Sequence, residues 1–490
     1  MKRILLLFFL LLLFHVSKAQ STDPNAYKKR VLESPEIEIL MSYYQQNGDH
    51  SAVGGGIGDE SVDDITPTIV VTIPLNDDDV LTIDAGLSAY TSASSSNINP
   101  FNASGASGRG EDDDEDEDDH EGDDEDDFRP GSSEPTTGTP WLASSGASQS
   151  DVLASVSVDY SHSSDDRNWI LGLHGSVSKE YDYHSLGFGG SVARLFAEKN
   201  TELSLKTQVY LDAWKPIYPT ELHEYSLYGS NFQNSGYFEG MTVLNEQGNP
   251  TTAYLPDLFS EWDSKKRNSY SASLGFSQII SQRLQASFFV DLIYQEGLLS
   301  TPYHRIYFAD RPNYYIGTAS DIPVYTTREN TGVFRLADEV ERLPDTRLKI
   351  PFGARINYYM SQTFKLRTYY RYYSDDWGIT GHTGSVELPV SLSPKFTLTP
   401  TYRYYEQTAA TYFAPFETHV STEQFYTSDY DLAEFQSNQW GIGLSYTNIF
   451  SQPKFLRLGL KHVNLRFSHY DRSDGLKANI VSFGLKYVFE

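Results

Sequence analysis

The residues best suited to chemistry in this 490-residue sequence fall into two sets. The first is Glu111 to Asp127, with 15 acidic residues in 17 and only His120 and Gly122 as interruptions. Removing it takes the formal net charge from −28 to −13, so one short run carries over half of the imbalance. Carboxylates at that density either repel one another and stay solvated or collect hard cations such as Ca²⁺ at low affinity. An EF-hand is excluded: with Gly122 at the sharp-turn place, the twelfth place falls on Phe128, which has no oxygen to offer. The oxygen donors for a loose cation site are Asp112, Asp113, Asp114, Asp116, Asp118, Asp119, Asp123 and Asp124. No other cofactor is expected. The flanking Ser, Gly, Thr and Pro favour a solvated loop that exposes these carboxylates.

The second set is basic. Arg355, Lys365, Arg367, Arg371, Arg403, Arg457, Lys461 and Lys486 alternate with apolar or aromatic neighbours, and Glu387 is the clear acid among them. Glu36, Glu38, Asp84, Asp212 and Asp291 hold the corresponding positions in the N-terminal half. If the segments are strands, all these charges share one face, giving a basic wall opposite an acidic one. Such a face would either filter anions or pair its charges internally. Enzyme chemistry finds less support. His162, His174, His223, His304, His382, His419, His462 and His469 are scattered without metal-ligand spacing, and no G-x-S-x-G motif occurs. His382 with Glu387 is the best acid–base pair, and the expectation is that the chain is not an enzyme.

The elements that must position these charges are legible from period-two alternation. Ile69, Val71, Ile73 and Leu75 alternate with polar residues. So do Leu81, Ile83, Ala85, Leu87 and Ala89, and likewise Leu284, Ala286, Phe288, Val290 and Leu292. Apolar–polar alternation over roughly 10 residues is the mark of a strand with lipid on one side and water on the other. Strands are predicted near 36–46, 66–75, 80–93, 151–163, 168–180, 185–197, 201–212, 269–280, 284–296, 346–360, 364–375, 378–392, 396–407, 436–449, 455–471 and 476–489. The expected fold is all-β: a transmembrane antiparallel up-and-down barrel of about 16 strands with long extracellular loops. Short turns alternate with long connections, and 94–150, 213–268 and 297–345 are the longest. The last two are rich in Tyr and Pro and suit ordered packing. Tyr370, Tyr372, Tyr402 and Tyr404 fall at strand ends with lipid-facing parity, as an aromatic girdle requires.

The N-terminus indicates the compartment. Met1-Lys2-Arg3, the apolar Ile4 to Phe14 and Ser17-Lys18-Ala19 form a secretory signal peptide over 1–19. A periplasmic segment, 20–35, would precede the barrel at 36–490, too short to be a plug. The chain has no cysteine, which excludes a lipid anchor on a thiol, a disulfide or covalent haem. Mean hydropathy of −0.45 is compatible with a barrel, whose strands are apolar on one face only. The last strand places Phe483, Leu485, Tyr487 and Phe489 on alternate positions, which resembles the signal read by the barrel-assembly machinery. The expected location is the outer membrane of a Gram-negative bacterium. The expected partners are outer-membrane lipid and that machinery, with a periplasmic or surface protein as a further possibility and no nucleic acid.

Several stretches occur together in a recognisable order. They are Ser300-Thr301-Pro302-Tyr303-His304-Arg305, Arg342-Leu343-Pro344 and Lys349-Ile350-Pro351-Phe352-Gly353. Tyr369-Tyr370-Arg371-Tyr372-Tyr373-Ser374-Asp375-Asp376-Trp377-Gly378 and Tyr402-Arg403-Tyr404-Tyr405 through Tyr412-Phe413-Ala414-Pro415 complete the set. The chain resembles a family of exported bacterial proteins, common in Bacteroidetes, that is catalogued as a domain of unknown function (number thirty-five seventy). The likeness covers most of the mature chain and is densest from about residue 290 onward. It implies the barrel, and a genetic neighbourhood of flavin-transferase and thioredoxin-like proteins that would make any partner redox-related. Two functions follow as expectations: a passive or weakly selective pore for small hydrophilic solutes, or a non-conducting scaffold whose long loops fold inward or dock a partner.

Overall fold

The computed structural model describes residues 30–91, 150–180, 182–263, 266–325, 332–448, 454–455 and 458–489. Sixteen antiparallel strands close into a barrel. They are β1 (Glu36–Asn47), β2 (Val62–Pro74), β3 (Asp79–Thr91), β4 (Ser150–Ser163), β5 (Trp169–Lys179), β6 (Tyr183–Phe196), β7 (Thr201–Trp214) and β8 (Lys266–Ser281). β9 (Leu284–Gly297), β10 (Thr346–Lys349 resuming at Phe352–Tyr359), β11 (Lys365–Ser374) and β12 (Thr380–Glu387 resuming at Val390–Ser391) follow. β13 (Phe396–Gln407), β14 (Phe435–Thr447), β15 (Leu458–Arg472) and β16 (Lys477–Phe489) complete the ring. Each strand pairs with its sequence neighbour, and β16 pairs with β1 in a seam running from Glu36↔Val488 to Asn47↔Lys477. Closure satisfies the backbone groups that an open edge would leave bare in hydrocarbon.

Two prolines interrupt their strands, where the missing N–H falls. β10 breaks at Ile350-Pro351 and β12 at Leu388-Pro389. β2 begins earlier than the alternation predicts, at Val62, because pairing with β1 carries it through Pro67, which stands opposite Met41. On the other flank, the β2–β3 ladder skips the pairs between Ile65↔Ala89 and Thr68↔Gly86.

Side-chain parity follows the expected pattern. Leu173 (60% exposed), Phe288 (57%), Ile69 and Trp440 point out of the barrel, forming the apolar band that a bilayer covers. Phe483 and Phe489 of β16 belong to it. Tyr370 and Tyr402 also face outward, and their hydroxyls meet His382 and Asn438, polar residues at the edge of the band. Among the described residues, no helix is long and apolar enough to cross a membrane.

The two rims differ in kind. Turns at one rim are short; there Val31 donates to the Asp77 carbonyl, and Phe489 donates to that of Pro35. The other rim carries the long connections, which have cores of their own. Phe232, Phe238, Val243 and Tyr254 of the β7–β8 connection pack with Ile316, Phe334 and Leu336 of the β9–β10 connection. Helix α1 (Thr220–Tyr228) adds Leu222 to a second cluster with Tyr307, Ala337 and Val340. Trp377, Leu299 and Leu343 form a third, against which Tyr412 and Leu432 of the β13–β14 connection pack. The acidic segment, the signal-peptide residues and Arg457 lie outside the described residues.

The parity assignment predicts a sharp asymmetry. Leu173→Lys, on the lipid face at mid-strand, should destabilise the barrel by about 2–4 kcal/mol, whereas Ser157→Lys, facing inward beside Asp84, should cost under about 1 kcal/mol. Urea unfolding in micelles, followed by heat-modifiable migration, checks the difference.

Candidate functional site

The inward face carries the polar and charged side chains expected of it. On β10–β13, Arg355, Arg371 and Arg403 lie on neighbouring strands: Arg355 pairs with Tyr369, Arg371 with Gly353 and Thr383, and Arg403 with Ser385. The Arg355 guanidinium lies 5.3 Å from the centre of the Tyr369 ring, and Phe289 stacks on that ring at 5.8 Å. Gly353 makes this platform possible, because a Cβ there would stand 2.4 Å from the Phe289 ring. The arrangement is a flat aromatic surface flanked by guanidinium groups, suited to an anion with a planar part.

The other predicted luminal residues, among those described, have the following partners. Arg367 meets Glu387 at 3.5 Å. Lys461 bonds Glu36 from a bulge in β15, and Lys486 meets Glu38 at 3.2 Å. Lys365 donates to Ser391 at 3.1 Å. The structure therefore places the predicted basic strip in two parts, an arginine-rich aromatic patch on β10–β13 and a belt of ion pairs and hydrogen bonds near the short-turn rim. His382 is placed differently from its expected role. It lies on the outer face between Tyr370 and Tyr372, whereas Glu387 faces inward, so the two cannot act together. An odd separation along a strand puts two residues on opposite faces.

At the long-loop rim, inward-facing ends of six strands are buried. Tyr44 and Gln46 of β1, Trp214 of β7, Ile293 and Gln295 of β9, Ser437 of β14, Tyr470 and Arg472 of β15 and Ala478 of β16 are all covered. What covers them is the packed connections. The β1–β2 and β9–β10 hairpins stand half the ring apart, yet Arg305 of the latter donates to the Val53 carbonyl of the former at 3.0 Å. The same guanidinium clasps Glu221 of α1 through bonds of 2.7 and 3.2 Å, and both side chains are almost wholly buried. Glu221 also accepts from the Ala337 backbone at 3.2 Å. Loops from opposite walls thus meet over the mouth and form a roof held by a bidentate ion pair.

Titratable groups inside the roof are strongly perturbed. Burial pushes the Glu60 carboxyl up to about 8, although Arg472 nearby opposes this. Burial and the neighbouring Asp431 raise Asp429 to about 7. For His304, burial acts downward, but the Glu341 and Asp429 carboxylates outweigh it and the net shift is upward. Among the described residues, His304, Glu341 and Asp429 form a group with one ligand atom each inside 4.8 Å. Sequence spacing concealed it. Arg305 and Ile306 pair with Val340 and Glu339, so His304 comes opposite Glu341, and the Arg342↔Tyr426 bridge then brings up the segment containing Asp429.

Glu60 generates a pH prediction. A carboxyl with a raised folded-state pKa favours the fold fully below its unfolded value near 4.5, and that contribution is lost as pH rises through about 8. Glu60→Gln should therefore match the wild type near pH 4 and be the more stable protein near pH 9, by at most about 5 kcal/mol. Unfolding midpoints at the two pH values measure it.

Comparisons with known proteins add the following. The chain aligns with a bacterial polysaccharide outer membrane secretin at 9% identity and a TM-score of 0.41, covering 95% of this chain and 100% of that one. It aligns with the outer membrane protein opdK of Pseudomonas aeruginosa at 8% identity and 0.33, covering 94% and 99%. A TodX monoaromatic hydrocarbon channel mutant gives 7% and 0.37, covering 94% and 91%. Likeness at this level carries no argument about function. No curated protein sequence matches the chain. The family, by contrast, is plain: with residues 8–479 matched, the chain belongs to the family described as Protein of unknown function (DUF3570).

Proposed function

We propose that this chain is a roofed outer-membrane channel for small hydrophilic solutes, favouring anions and conducting only when its loop roof loosens. The observation that carries the reading is the bridge between opposite hairpins over a charged lumen. A closed ring of this strand number encloses a cross-section wide enough for water and small solutes unless loops fill it. Here the long connections extend across the mouth and bury the inward strand ends beneath them. Below the roof, Arg367 and Lys461 remain about 43% exposed. The lumen is then a cup, open at the short-turn end and closed at the loop end. Insertion from the periplasm would set the roof on the outer surface. Within the cup, Arg355, Arg371 and Arg403 provide the positive potential that a small anion would meet before the roof.

The roof also favours a second reading, in which the barrel never conducts and the loop surface docks a partner. Single-channel recording in planar bilayers separates the two. Wild-type protein should show rare, small openings, and the double variant Glu221→Ala/Arg305→Ala should open several-fold more often, because removing the buried pair unpins α1 from the β9–β10 connection. Silence from both proteins, each shown to be folded by heat-modifiable migration, supports the scaffold. Large, continuously open steps in the wild type would refute the roof as a barrier.

The luminal patch gives a separate expectation. Replacing Arg355, Arg371 and Arg403 by Ser in the unpinned variant should shift the reversal potential in a salt gradient from anion preference towards none. An unchanged reversal potential would mean that these guanidinium groups do not set selectivity.

A further inference from the structure

We propose that His304, Glu341 and Asp429 form a binding site for a divalent transition-metal ion, Zn²⁺ foremost, that locks the β9–β10 connection to the β13–β14 connection. Three chain segments converge here for reasons of backbone pairing. The Glu341 N–H donates to the His304 carbonyl at 2.9 Å, so the two residues are neighbours in a short ladder. The Arg342–Tyr426 pair, bonded in both directions at 3.0 and 2.7 Å, adds the third segment. Side chains are then fixed from behind. Glu341 accepts from the Thr301 backbone at 2.7 Å and from the Thr427 hydroxyl at 2.6 Å, and Asp429 accepts from the Asp431 backbone at 2.9 Å. Such bonds orient ligand oxygens and leave lone pairs for an ion.

The histidine is what points to a metal. His304 is 2% exposed, and it turns Nδ1 toward the two carboxylates, with the unpartnered Nε2 on the opposite edge of the ring. Its Nδ1 has only a long contact of 3.4 Å to Glu341 Oε2, with Asp429 Oδ2 at 4.0 Å. A protonated imidazole between two carboxylates would draw them into short charge-assisted bonds of about 2.7–2.9 Å, as Arg305 does with Glu221. Here the three donors stand apart. Zinc bonds of about 2.0–2.2 Å in a tetrahedron set their donors about 3.3–3.6 Å apart, close to the observed His304–Glu341 spacing. Asp429 Oδ2, 4.0 Å from His304 Nδ1, would move inward to join, and water would supply the fourth place. A divalent ion would also balance the carboxylates of Glu341, which is buried, and Asp429, which is half-buried. Calcium fits less well, since it takes six to eight oxygens and the central donor here is a nitrogen.

The site would be structural, because its donors come from both sides of a joint in the roof. It differs from the acidic run in donor chemistry, and that difference makes it testable in the full chain. Refolded wild-type protein and the variant His304→Gln are stripped with chelator and titrated with Zn²⁺, with millimolar Ca²⁺ present to compete at exposed carboxylates. The wild type should bind one more zinc equivalent than the variant, with affinity at that site lowered roughly 100-fold or more by the substitution. Zinc should also slow proteolysis within 298–345 and 408–434 in the wild type alone. Equal zinc content in the two proteins, or none in either, overturns the proposal. Should His304→Gln fail to fold, the wild type loaded with Co²⁺ decides: an intense visible band from a low-coordinate site containing nitrogen supports it, and the weak spectrum of an octahedral oxygen-bound ion refutes it.

Discussion

Backbone hydrogen bonding in a medium without water is the constraint on which this molecule depends. A strand in hydrocarbon must satisfy every N–H and C=O from its neighbours, so the sheet has to close. The seam between β1 and β16 achieves this over the full length of both strands. Closure fixes parity around the ring: once Ile39 and Leu485 face lipid, every other position is committed to one side or the other. The apolar band and the luminal arginines are therefore two consequences of one pairing scheme. Prolines show the limits of that scheme. Pro351 and Pro389 break their strands, whereas Pro67 is carried through because β1 holds the register around it.

The roof answers a different problem. A ring of strands leaves an aqueous mouth, and loops covering it must bury polar backbone without the help of a sheet. They do so by building small cores rich in aromatic residues and short ladders of their own. Charged groups trapped in that interior must be matched, since an ionised side chain without a partner would cost several kcal/mol. Glu221 and Arg305 are matched with near-ideal geometry. Arg472 is matched by Asp431 and Asp474 while lying over the Phe435 ring. The interior of the roof thus holds fixed charges that bridge segments distant in sequence.

This architecture puts the selective chemistry in two places of different character. The lumen is exposed to water from the short-turn side, and its charges sit on strands held in register by their neighbours. The roof is dry, and its charges act through specific partners.

What the sequence by itself determined was what depends on period two and on turn chemistry: a closed antiparallel barrel of about 16 strands and the aromatic alternation of the last strand. These are local properties, repeated in hairpin after hairpin, and strand parity admits only two answers. The long connections were legible only in kind, their Tyr and Pro content indicating ordered packing without indicating what packs on what. The tertiary structure alone decided that Arg305 crosses the mouth to Val53, that His304 meets Glu341 and Asp429, and that Arg367, Lys461 and Lys486 are paired while Arg355 lies against Tyr369. The reason is physical: such contacts join segments up to hundreds of residues apart, and their geometry is set by ring closure and loop packing, which have no period to read in the sequence.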